Sequence, residues 1–204
     1  MKKIKICGLK RAEDILMVNE AKPDYIGFVF APNRKRTITP DTARELKLLL
    51  HPSVKAVGVF LNQDVNEILQ LAGEGTIDMI QLHGDENEET IRYLRHHTDA
   101  PIMKAVNVRD RDQLERMDSM SEIEYLLLDT YDPRMPGGTG KTFDWSVIPK
   151  LNKPFFLAGG LNSSNILAAL QTDAFALDIS SGVETNGWKD PLKIKEIIKM
   201  IREG

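Results

Sequence analysis

The chain has 204 residues, 42% of them apolar, and a formal net charge of −3. That size and apolar content suit a single globular domain over residues 1–204 and exclude a disordered chain. The charge gives no electrostatic reason to expect a nucleic-acid partner, and no apolar run approaches the ~20 residues that span a bilayer.

The elements follow one rhythm, a short β-rich run and then an amphipathic helical stretch. "KIKIC" (2 to 6 or 7) predicts a first strand and 12–21 a helix. "YIGFVF" (25–30) precedes a helix over 40–50, "KAVGVFL" (55–61) one over 64–73, and "MIQLH" (79–83) one over 86–97. "PIMKAV" (101–106) precedes 110–118, and "YLLLD" (125–129) a short helix near 144–149. "PFFLAG" (154–159) precedes 163–171, and "AFALDIS" (174–180) precedes 190–202. Helix starts are signalled by Pro40 after Thr39, by Asp110, and by Pro191 after Asp190. Strict β/α alternation implies a parallel sheet with right-handed crossovers. Eight pairs favour a (β/α)8 TIM barrel, with an open doubly wound sheet as the alternative.

Alternation along each strand sorts residues between the barrel axis and the surrounding helices. Ile4 and Ile6 suit the helix side, so Lys3, Lys5 and Cys7 face the axis. Met79, Gln81 and His83 share a face, as do Tyr125, Leu127 and Asp129, and Ala176, Asp178 and Ser180. The polar member lies at or near the C-terminal end each time, the end where barrel enzymes build their sites.

"AGGLNSSN" (158–165) and "DISSGVE" (178–184) follow the seventh and eighth strands. Loops there commonly hold phosphate, so Gly159, Gly160, Ser180, Ser181 and Gly182 are candidate phosphate ligands; the plainer alternative is two tight turns. "MPGGTGKT" (135–142) looks like a P-loop, but Met135 stands where the motif needs glycine. A glycine-rich lid over 131–142 is the better reading. Arg34, Lys35 and Arg36 form a basic cluster after the second strand, which is either a solvated loop or a carboxylate fork. None of His51, His83, His96 and His97 has a metal-ligand spacing, so no metal is expected. His83 closes a strand and is placed to meet substrate or backbone. The only cysteine, Cys7, reads either as a core thiol or as a base favoured by Lys5. A lone cysteine and an N-terminus without a signal-peptide pattern fit the cytoplasm.

The ordered set "KICGL", "GFVF" then "KR", "VGVF", "QLHG", "LLLDT", "GGTGKTFDW", "AGGLN", and "DISSGVE" with "GWKD" resembles the phosphoribosylanthranilate isomerase family of tryptophan biosynthesis, over essentially the whole chain. The resemblance implies an Amadori rearrangement of a small phosphoribosyl substrate without cofactor. It implies Cys7 as general base, Asp129 as general acid and Arg36 as the carboxylate ligand. Gly159, Gly160, Ser180, Ser181 and Gly182 match the phosphate site, and His83 and Asp178 are further candidates for substrate contact. Two positions depart from the family pattern: Arg34, which would share or compete for the carboxylate role, and Ser163, where proline is common. An acid and a base serving one substrate at neutral pH predict a raised Asp129 and a lowered Cys7. A monomer is expected. Another phosphosugar barrel enzyme, or a non-catalytic phosphometabolite-binding barrel, is the competing reading.

Overall fold

The computed structural model describes residues 1–108, 110–129 and 144–204. The "MPGGTGKT" run and the expected lid lie outside these residues. Eight strands form one closed parallel barrel: β1 (Lys3–Cys7), β2 (Tyr25–Val29), β3 (Lys55–Phe60), β4 (Met79–Leu82), β5 (Ile102–Asn107), β6 (Tyr125–Asp129), β7 (Phe155–Leu157) and β8 (Ala176–Ile179). β8 pairs with β1, with Lys5 opposite Asp178, and this closure removes the open-sheet alternative. The surrounding helices are α1 (Ala12–Ala21), α2 (Pro40–Leu49), α3 (Val65–Gly73), α4 (Glu88–His97), α5 (Arg111–Ser119), α6 (Ile166–Leu170) and α7 (Pro191–Glu203).

The helix starts form as their residues dictate. The Thr39 hydroxyl accepts from the Thr42 amide at 3.2 Å, with Pro40 in the first turn where a missing N–H costs nothing. Asp110 caps α5 by accepting from Gln113 N, and Asp190 caps α7 by accepting from Leu192 N, both at 2.9 Å. Two helices differ from expectation. The stretch near 144–149 is only a 3-10 turn, Trp145–Val147. α6 starts at Ile166, because the preceding asparagines fold into a turn instead: Asn162 Oδ1 accepts from the Ser164 amide and hydroxyl. Short polar side chains compete in this way for backbone that a helix would use.

Two apolar layers hold the barrel. Ile4, Ile6, Ile26, Ile80, Leu126 and Leu128 face outward and are buried under the helices. Val57, Met79, Met103, Leu127, Phe156 and Ala176 face the axis. Phe156 stands edge-on to Tyr25 and Tyr125, with ring centroids 5.4 and 5.6 Å away, so the N-terminal half of the interior is packed solid.

One element was not foreseen. β9 (Glu184–Thr185) and β10 (Trp188–Lys189) form a small antiparallel hairpin after β8. Its two-residue turn, Asn186–Gly187, has φ of 53° and 79°. An Asn-Gly pair is the strongest short hairpin signal, so "TNGW" carried the information.

Candidate active site

The C-terminal ends of the strands open into a cavity of about 1090 Å³. Cys7, Arg34, Arg36, Gln81, His83, Asn107, Asp129, Gly159, Gly160, Asp178, Ser180 and Ser181 all line it. Every candidate site residue except Gly182 is therefore brought to one mouth. A Cβ on Gly182 would come 1.9 Å from the Leu161 carbonyl oxygen, so this glycine lets the loops after β7 and β8 touch.

Cys7 ends β1 and points inward, where only a glycine opposite leaves room. A Cβ on its β2 partner Gly27 would sit 2.5 Å from the thiol sulfur. Below it, fully buried Lys5 donates to Asp178 Oδ2 at 2.7 Å. This pair closes the barrel and places a cation under the thiol. Burial pulls the Lys5 ammonium down, but Asp178 and Cys7 outweigh that and hold it above its usual value. The Cys7 expectation is corrected in direction. Burial pushes the thiol above its usual value; Lys5 and Lys189 pull it down, and Asp178 pushes it up again. Lys5 helps the thiolate less than its nearness suggests, because it shares its charge with a carboxylate.

Across the mouth, beyond β7 and β8, Asp129 ends β6. His83 Nε2 stands 3.4 Å from Asp129 Oδ2, and His83 Nδ1 is 2.8 Å from the Gln81 side-chain amide. Gln81, buried on β4, thereby fixes the imidazole that faces the acid. Asp178 lines the cavity, and its Oδ1 is buried and meets no donor among the described residues.

On the β7 and β8 loops, Gly159 and Gly160 hold successive φ values of 86° and 67°, a run that side chains disfavour. The Gly160 carbonyl accepts from Asn162 Nδ2 and Asn165 Nδ2 at 2.9 and 3.0 Å, which pins this turn. The Ser180 hydroxyl donates to the Cys7 carbonyl at 3.1 Å and ties the loop after β8 to the strand of the thiol.

Arg34 is exposed, whereas the Arg36 stem crosses Gly8, where a Cβ would fall 2.2 Å from its Cδ. Arg36 Nε and Nη2 donate to Glu184 Oε1 and Oε2 at 2.7 and 2.8 Å. The basic cluster is thus one anchored arginine beside an exposed one, and the side face of the Arg36 fork is already taken. Among the described residues, no group of three or more His, Cys, Asp and Glu is placed to hold a metal ion.

The chain matches the family model for N-(5'-phosphoribosyl)anthranilate (PRA) isomerase over residues 4–200. The chain belongs to the PRA isomerase family. A relative named N-(5'-phosphoribosyl)anthranilate isomerase, from Endomicrobium trichonymphae, is 46% identical over 99% of both chains. The phosphoribosyl anthranilate isomerase structure from Thermotoga maritima superposes with a TM-score of 0.88 at 40% identity, covering both chains fully. Another isomerase structure, in complex with reduced 1-(o-carboxyphenylamino)-1-deoxyribulose 5-phosphate, gives 0.81 at 35% identity with full coverage. A further Thermotoga maritima structure, of monomers of the dimeric isomerase, gives 0.83 at 38% with full coverage. PRA isomerase activity, in tryptophan biosynthesis, is therefore the function of this barrel. For this PRA isomerase family member, residue-level reading missed Gly27, Gln81 as a partner of His83, Glu184 and Lys189. A glycine inside a strand signals close approach, so Gly27 was legible; the other three act through contacts that spacing does not encode.

Proposed function

We propose that Cys7 and Asp129 divide the proton transfers of this isomerisation between them, with the substrate held by its two anionic ends. The observation that carries the reading is their placement on β1 and β6 at one cavity mouth, which the loops after β7 and β8 and Arg36 also line. The phosphate lies against Gly159, Gly160, Ser180 and Ser181, and the anthranilate carboxylate meets the end face of Arg36. Anchors at both ends set the reacting carbons between acid and base.

Asp129 enters protonated, gives its proton to the ribose ring oxygen, and the ring opens to an iminium at C1. Cys7 as thiolate takes the C2 proton, giving an enolamine. Return of a proton to C1 and loss of the C2 hydroxyl proton complete the ketone, and the product is an isomer of the substrate. A cationic iminium beside Cys7 supplies the positive charge that favours the thiolate, offsetting the burial that holds the thiol up. Asp178, at the cavity wall, accepts from a substrate hydroxyl, and His83, oriented by Gln81, steadies the Asp129 carboxyl. No cofactor is needed for these steps.

The protein is a single-domain barrel over residues 1–204, acting as a monomer in the cytoplasm; no helix among the described residues is long and apolar enough to cross a membrane. Light scattering on the purified protein checks the monomer, and a dimer mass overturns it. Loss of anthranilate-substrate fluorescence on adding enzyme tests the reaction. Tight binding without conversion would instead support the binding-protein reading.

A further inference from the structure

The β9–β10 hairpin lies outside the barrel, yet two of its side chains end in a buried charge cluster behind the cavity wall. Glu184 and Lys189 are cross-strand partners on it. Lys189 is buried and donates to Glu184 Oε1 at 2.8 Å and to the Ser180 carbonyl at 2.9 Å. Glu184 accepts both the Arg36 contacts and the Lys189 contact. Burial alone would raise the Glu184 carboxyl, but Arg36 and Lys189 hold it at about 2, so it is ionised throughout the working range. Trp188, between them, carries Lys10 and Arg11 over its ring at 4.0 Å each, which docks the hairpin on the loop after β1.

We propose that Glu184 and Lys189 are positioning residues that make Arg36 a carboxylate receptor. Three features support this. Glu184 occupies the Nε and Nη2 side of the guanidinium, so the end carrying Nη1 is what remains for a second carboxylate. The stem lies over Gly8, where no side chain competes, so the head is held from two directions. An Arg36–Glu184 pair alone is neutral and attracts an anion weakly; Lys189, whose ammonium is pulled down by burial and held up by Glu184, adds a second cationic partner to the cluster. Through Glu184 and Lys189 the hairpin thus holds and charges the Arg36 head for substrate selection, away from the reacting carbons.

This inference rests on Arg36 being the carboxylate ligand, so the experiment separates the two claims. KM and kcat are measured with N-(5-phosphoribosyl)anthranilate and with the carboxylate-free N-(5-phosphoribosyl)aniline, for Arg36→Ala, Glu184→Gln, Glu184→Asp and Lys189→Met. Lys189→Met should raise KM about tenfold for the anthranilate substrate through the lost cation, and Glu184→Gln should raise it severalfold because the loosened guanidinium outweighs the negative charge removed, with kcat and the aniline KM unchanged in both. Glu184→Asp should recover part of that loss. If Arg36→Ala discriminates between the substrates but Glu184→Gln and Lys189→Met do not, the positioning role is wrong and the carboxylate reading stands. If Arg36→Ala fails to discriminate, both fall. Equal losses on the two substrates, or a fall in kcat, would reduce the hairpin to a structural brace. Should Glu184→Gln not fold, Lys189→Met decides alone by the same criterion.

Discussion

The two halves of the barrel interior are built by the same alternation on the same strands and end in opposite chemistry. Toward the N-terminal ends, Tyr25, Tyr125, Phe156 and Phe175 fill the axis with interlocked rings. Toward the C-terminal ends, the inward positions hold Cys7, Gln81, Asp129 and Asp178 around open space. The first half gains apolar burial and closes the barrel. The second gives that gain up and buries a Lys5–Asp178 pair, whose desolvation offsets much of its attraction. Packing at one end lets the other keep unpaired polar atoms such as Asp178 Oδ1.

Substitutions at the two ends should therefore fail in different ways. Asp129→Asn should cut turnover by about 10²–10⁴-fold, the range for a lost general acid, with the thermal transition nearly unmoved. Calorimetry and a fluorescence assay on one preparation check both halves of that statement. Phe156→Ala should do the reverse, costing about 3–5 kcal/mol of stability through a cavity among aromatic neighbours. Denaturation measures it, and activity per folded molecule should persist. If Phe156→Ala instead lost turnover at full stability, the division between the halves would be false.

A smaller effect tests the buried pair. Lys5→Met should move the Cys7 titration further up and Asp178→Asn should move it down, since Lys5 favours the thiolate and Asp178 opposes it. Alkylation rate against pH reads both, and shifts in one shared direction would contradict the electrostatic account. The smallest effect is an acid one. Glu184 ordinarily titrates at 4.5 and is held at about 2 in the fold, so its contribution is complete above 4.5 and fades as pH falls toward 2. The stability gap between the unsubstituted protein and Glu184→Gln should narrow across that window; a gap that widened on acidification would reverse the sign.

Most of the frame was legible because strand alternation and helix caps are local. Ile4 and Ile6 read as helix-facing and are; Thr39, Asp110 and Asp190 cap as their types require. What escaped lies in pairings across long separations. Lys5 meets Asp178 only because β8 closes on β1, 173 positions away, and Arg36 meets Glu184 across 148. Periodicity gives the face a residue occupies but not its neighbour there. The thiol is raised where the sequence reading expects it lowered, because burial is the largest influence on Cys7 and because Asp178, whose pairing the sequence does not reveal, opposes Lys5.

The central claim, that the polar end works through a thiolate base, is tested most directly by Cys7→Ala. Turnover and binding of reduced 1-(o-carboxyphenylamino)-1-deoxyribulose 5-phosphate are measured on the same sample. Binding retained near the unsubstituted affinity, with turnover reduced about 100-fold or more, is the predicted result. Turnover near the unsubstituted rate would contradict it.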